Sequence, residues 1–222
     1  MGTITRSFAN NITTSGVLLP ASLTNNSIAN VTAYNAAVAT GNMVLISSQT
    51  ASNSASISFT TGIDSTYKEY QFWFIDIHPR TDNVGFQFNM STDGGSNYNV
   101  TKTSTYFVGF HDEADANTFL GYVATADLAQ STSYQDITTN TGGAGASSDA
   151  DHIITGSLQL FNPASTTYVK HFISVSQYNQ KDDFSDNVYM AGYGNTTSAI
   201  NAVRFQMSSG NFDGTILMYG IK

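Results

Sequence analysis

Three carboxylates and an imidazole fall within five residues at His111-Asp112-Glu113-Ala114-Asp115. Such a cluster would suit a calcium loop or a general acid–base pair. Calcium loops interleave oxygen ligands with a glycine that turns the chain, and no glycine interrupts this stretch, so an acidic turn at a strand end is the commoner reading. Asp182, Asp183 and Asp186 around Phe184 form a second acidic turn of the same kind. The four histidines, His78, His111, His152 and His171, are tens of residues apart and lack the spacing of a zinc site. His171 shares a strand face with Val169, Ile173 and Val175, which predicts that it fills or borders a core. Cysteine is absent, so there is no thiolate nucleophile and no disulfide. No Gly-x-Ser-x-Gly elbow occurs, and the Gly142-Gly143-Ala144-Gly145 cluster has no lysine with which to cradle a phosphate. Glycosidase chemistry needs two facing carboxylates, and Glu occurs only at 69 and 113.

Ser91-Thr92-Asp93-Gly94-Gly95-Ser96-Asn97-Tyr98 is similar to the Asp-box turn of carbohydrate-active β-propellers. There the aspartate accepts backbone N–H bonds across a turn and the glycines supply positive φ, a fold device without chemistry. Tyr98, Tyr122, Tyr178 and Tyr193 lie near predicted loops and could stack on sugar rings, although aromatic residues of a sandwich more often fill its core. No residue is nominated as catalytic, cofactor-binding or metal-ligating, and no cofactor is expected.

What must position these groups is a set of short strands. Val84, Phe86, Phe88 and Met90 interleave with Gly85, Gln87 and Asn89; Val203, Phe205 and Met207 interleave with Arg204 and Gln206. A two-residue period predicts strands with one buried face. Strands are predicted at 57–60, 69–77, 84–90, 104–110, 118–124, 134–138, 153–161, 168–177, 188–193, 203–207 and 215–221. Gly, Asn, Asp and Ser clusters separate them, and 140–150 reads as a flexible surface loop. The run Tyr70–Ile75 is apolar on both faces, which predicts a central strand packed on each side. The fold class is all-β, a β-sandwich of jelly-roll-like design carrying an extended N-terminal arm. Residues 1–52 are the arm, rich in Ser, Thr, Asn and Ala; a strand at 43–46 and a loose helix or extended piece at 28–38 are its only predicted elements. Residues 53–222 are the sandwich domain. An arm this polar buries little surface alone and needs a neighbour to order it.

Of the 222 residues 41% are hydrophobic, enough for a core, while charged residues make up only 11%, against about 25% in ordinary soluble domains. The surface is therefore mostly Ser, Thr, Asn, Gln and Gly, which repels its own copies weakly. The net charge of −8 argues against nucleic acid as a partner, and no apolar stretch reaches the roughly 20 residues of a membrane span.

Several stretches together resemble virion structural proteins of tailed phages of marine bacteria, of the cyanophage and pelagiphage type. They are Thr5–Thr13 (TRSFANNIT), Phe59–Tyr67 (FTTGIDSTY), Phe86–Val100 (FQFNMSTDGGSNYNV), Leu160–Phe172 (LFNPASTTYVKHF) and Gly214–Ile221 (GTILMYGI). The resemblance spans nearly the whole chain and consists of strands and turns, so it carries no active-site residues. It implies a non-enzymatic structural protein on the outer surface of the particle, most simply a capsid decoration or cement protein that reinforces capsomer contacts. A homotrimer touching other virion proteins, such as the major capsid or tail proteins, would fit that role. The alternative it leaves open is a tail-fibre or receptor-binding head recognising host surface glycan.

Overall fold

The computed structural model describes residues 42–138 and 145–222. Twelve strands form, β1 (Met43–Ser54), β2 (Ser56–Phe59), β3 (Glu69–Pro79), β4 (Phe86–Ser91), β5 (Lys102–Asp112), β6 (Thr118–Tyr122), β7 (Gln135–Asp136), β8 (Ile154–Phe161), β9 (Lys170–Gln180), β10 (Phe184–Gly194), β11 (Ala202–Met207) and β12 (Phe212–Ile221). They make two antiparallel sheets packed as a sandwich. The large sheet runs β1-β12-β3-β8-β9-β10-β5-β6 and the small one β2-β11-β4-β7. Strand β1 pairs with β12, β2 with β11, β3 with β8 and β4 with β7, and these pairs fall alternately in the large and small sheets. The pairs nest as one long antiparallel ribbon folded across the two sheets. Strands β9, β10, β5 and β6 extend the large sheet beyond β8.

The alternation seen in the sequence does the packing. Phe86, Phe88 and Met90 of β4 and Val203, Phe205 and Met207 of β11 are buried against Phe72 and Phe74 of β3 and Phe172 of β9. Phe205 lies at the centre, with its ring 5.3 to 6.4 Å from those of Phe59, Phe72, Phe74, Phe86 and Phe88. Past β4 the small sheet is only the two-residue β7, and residues 123–138, which include it, meet the inner face of β9 and β5. Those segments present backbone groups that need partners, and the large sheet supplies hydroxyls. Ser176 donates to the Ile137 carbonyl, and Ser104 donates to Gln135 and accepts from the Leu128 N–H.

Two expectations are corrected by the structure. His171 is exposed, as are Ile173 and, in part, Val175; the buried set on β9 is Lys170, Phe172, Ser174, Ser176, Tyr178 and Gln180. A period-two strand has only two settings, and the backbone opposite rewards serines facing in. Tyr178 takes the core place that is commoner for a sandwich aromatic, buried with its hydroxyl 2.7 Å from Asp186. The run Tyr70–Ile75 does lie in a central strand, but Trp73 and Ile75 are exposed on the outer face, which no described residue covers.

The boundaries also move. Strand β1 pairs with β12 from Met43 onward, so residues 43–52, assigned by sequence to the arm, belong to the sheet. Expectations for residues 1–41, including the helix or extended piece at 28–38, lie outside the described residues. Of the loop predicted at 140–150, residues 145–150 are described, and they are anchored rather than loose: Ala146 bridges both Val84 and Gln180.

Candidate interaction surface

Strand register aligns one row of outward side chains across all eight strands of the large sheet. From edge to edge it reads Ser48, Leu217, Trp73, Ser157, Val175, Tyr189, Phe107 and Tyr122. Four of these aromatic residues remain open to solvent: Trp73 by 44%, Tyr189 by 56%, Phe107 by 46% and Tyr122 by 46%. The adjacent row contains Leu45, Tyr219, Gln71, Gln159, Ile173, Ala191 and Thr105, and the row on the other side Thr155, Gln177, Asn187, Gly109 and Leu120. None of them carries a charge. Charged groups stand at the rim, as in the Arg80–Asp213 pair at 2.7 Å and the His111–Asp115 pair at 3.1 Å.

Shallow depressions interrupt this face, among them one of about 210 Å³ between Phe107, Ile173 and Tyr189 and two larger ones. Of the larger two, one, about 310 Å³, has Gly156 as its floor between Trp73 and Val175; the other, about 330 Å³, opens at Gly192 beside Ile173 and Tyr193. Gly156 is needed there twice over. Its φ is +152°, and a Cβ would meet the Val175 carbonyl oxygen at 2.4 Å. These three rows thus mix exposed aromatic and aliphatic side chains with amides and hydroxyls, carry no charge, and are notched by depressions of side-chain size.

The groups singled out by sequence chemistry do other work. Asp93 accepts from the Ser91 hydroxyl at 2.6 Å and from Asn97 at 2.9 and 2.7 Å, and Gly94 and Gly95 take positive φ. The Ser91 hydroxyl first, then Asn97, hold its carboxyl down at a pKa of about 2, and the arrangement is a turn lock. Asp112 accepts from the Asn117 and Ala116 N–H groups and from the Asn117 side chain, which lower its pKa and close the turn between β5 and β6. With both oxygens committed, it does not converge with Glu113 and Asp115 on an ion. The second acidic turn splits: Asp182 pairs with Lys181, Asp186 is in the core and Asp183 sits at the hairpin tip. Glu69 opens β3 and Glu113 follows β5, at opposite ends of the large sheet. Tyr122 lies on the outer face with its hydroxyl bonded to Asp127, while Tyr98 stacks under Arg204 at 4.0 Å.

Lys102 and Asp186 are sealed between the layers, and Asp136 is half-buried beside Gln87 in the small sheet. Burial pushes the Lys102 ammonium down to about 7, with Nζ donating to Asn89 at 2.6 Å and to the Val100 carbonyl at 2.9 Å. Burial likewise raises Asp186 and Asp136 to about 6, only partly offset by bonds from Tyr178 and Gln87. Lys102 and Asp186 have no exposed surface. The shifts therefore report desolvation in a packed interior.

The sequence missed the aromatic row because Trp73, Val175, Tyr189 and Phe107 come from four strands. Its one legible trace was apolar character on both faces of 70–75. No protein-family model, characterised protein or solved structure matches the chain.

Proposed function

We propose that this protein is non-enzymatic building material of a tailed-phage particle, displayed on its outer surface as a decoration protein of the head. Copies associate through the outer face of the large sheet. The observation that carries this reading is the uncharged aromatic row. The exposed rings of Trp73, Tyr189, Phe107 and Tyr122 gain by leaving water, at about 25 cal/mol per Å² of apolar area buried. A chain of net charge −8 repels its copies least where it presents no charge. The resemblance to marine phage virion proteins supplies the particle, and the small increments of each contact multiply over many copies. Attachment to the capsid is assigned to residues 1–41, ahead of β1.

A receptor-binding head on a short fibre is the second reading. It is favoured by the mixture on the same face of Trp73 and Tyr189 with the amides of Gln71, Gln159 and Asn187, groups suited to stacking on and hydrogen bonding to a glycan.

The test is Trp73→Glu combined with Tyr189→Glu, followed by sedimentation. Both side chains are exposed in the single chain, so its melting temperature should stay put. Self-association should weaken on the order of 100-fold or more. A wild-type protein still monomeric at about 100 µM, or a double variant that assembles normally, would remove the reading. If the same variant instead loses binding to host polysaccharide while the wild type sediments as a monomer, the fibre reading takes its place. Hundreds of copies per virion would mark a head protein; a few dozen or fewer, a tail appendage. Deleting residues 1–41 should abolish particle attachment and leave association between copies intact.

A further inference from the structure

The end of the sheet where β9 turns into β10 holds three ligand-type side chains that are scattered in sequence. Asp149, His152 and Asp183 each offer one ligand atom, and these atoms all lie within 4.8 Å of one another. The backbone fixes all three. His152 N–H donates to the Asp149 carbonyl at 2.9 Å, closing a turn, and Asp149 N–H donates to the Ser147 hydroxyl at 3.0 Å. Ser147 N–H and Lys181 N–H tie this segment to the Asn179 and Gly145 carbonyls. Asp183 occupies the left-handed position of the three-residue β9–β10 turn, with φ of 60°.

The imidazole is the telling group. His152 is buried, with 9% of its surface exposed. Its Nδ1 has no hydrogen-bond partner and stands 4.0 Å from an Asp149 carboxylate oxygen. That separation is too long for a hydrogen bond and suits two atoms sharing an ion. A buried ring nitrogen beside a carboxylate and not bonded to it is otherwise a cost without a return.

We propose that Asp149, His152 and Asp183 bind a divalent transition-metal ion, with Zn²⁺ as the fitting probe. One imidazole nitrogen and two carboxylate oxygens make a mixed donor set that favours such an ion over calcium, which takes six to eight oxygens. Three protein ligands leave a fourth position for water or for a group from a neighbouring molecule. The ion staples the 145–153 segment to the β9–β10 hairpin. None of the three residues belongs to the aromatic row, so the site stands whether or not that face associates.

The experiment uses the full chain, stripped with a chelator and titrated with Zn²⁺ in a thermal melt. A second titration with Co²⁺ reads the visible absorption that reports nitrogen-containing, low-coordinate binding. The expected result is one ion per chain and a rise in melting temperature of roughly 5–10 °C near saturation. The obvious variant, His152→Ala, opens a hole in a buried site, so the decisive one is Asp149→Asn with Asp183→Asn. Asparagine keeps the left-handed backbone at 183. This variant should melt like the stripped wild type and bind Zn²⁺ weaker by roughly tenfold or more. The proposal is overturned by absence of a Zn²⁺ shift, by a shift the double variant retains, or by an equal shift with Ca²⁺.

Discussion

Phe205→Ala is expected to cost about 3–5 kcal/mol, the largest loss available from any single truncation of this core. Phe205 sits in β11, between β2 and β4 of the small sheet, and its ring meets five other phenylalanines from both layers. Removing it leaves a void that five rigid rings cannot close, because each is also held by its own strand. At about 2–4 °C per kcal/mol for a chain of this size, the melting temperature should fall by roughly 10–15 °C. Phe205→Leu, which keeps most of the volume, should cost about a third as much. Equal losses from the two variants would mean that the cluster repacks freely and that the sheets are not locked at this point.

Stability should dip between about pH 6 and 7, where many proteins are near their best. The signs follow from which state holds more protons. Asp186 and Asp136 keep theirs up to about 6 in the folded chain, against 3.8 ordinarily, so stability falls as pH rises through that window. Lys102 loses its proton near 7 when folded but near 10.5 when unfolded, so stability climbs again above 7. Lys170, lowered by the same burial, steepens the climb. Asp64, Asp93, Asp112 and Asp213 act in reverse: hydrogen bonds depress their pKa values, and the stability they add disappears as pH drops below the usual carboxylate range. A pKa unit is worth about 1.4 kcal/mol, and with partial relaxation around the buried charges the dip should be about 2 kcal/mol deep. Melting curves from pH 3 to 10 would show it. Asp186→Asn should flatten the acid side and Lys102→Met the alkaline side; a profile with a single maximum near neutrality would contradict the sealed state of both groups.

Most of the strand map could be read in advance because the small sheet and the first half of the large one obey simple alternation. Phe86, Phe88 and Met90 face the core, where Phe86 meets Phe74 and Phe212 and Phe88 meets Phe172. Strand β9 defeated the same logic. Ile173 and Val175 are its most apolar residues and still point outward, since Ser174 and Ser176 find the Ser157 and Ile137 carbonyls on the inside. Hydropathy along one strand cannot register a hydrogen-bonding demand that arises on another. The outer face was hidden for a related reason: its row exists only once eight strands are in register. Asp149, His152 and Asp183 were equally invisible, because a turn and a hairpin tip far apart in the chain bring them together.

The pairing of β1 with β12 has a mechanical consequence. Met43 stands beside Ile221, and the Lys222 N–H bonds to the Asn42 carbonyl at 2.8 Å, so the two ends of the domain leave from one corner. Tension applied between residues 42 and 222 would therefore peel the rungs one at a time, like a zipper, instead of loading them all in shear. Anchored by both ends, the molecule would yield at low force; pulled from residue 42 against its broad face, it would hold far longer.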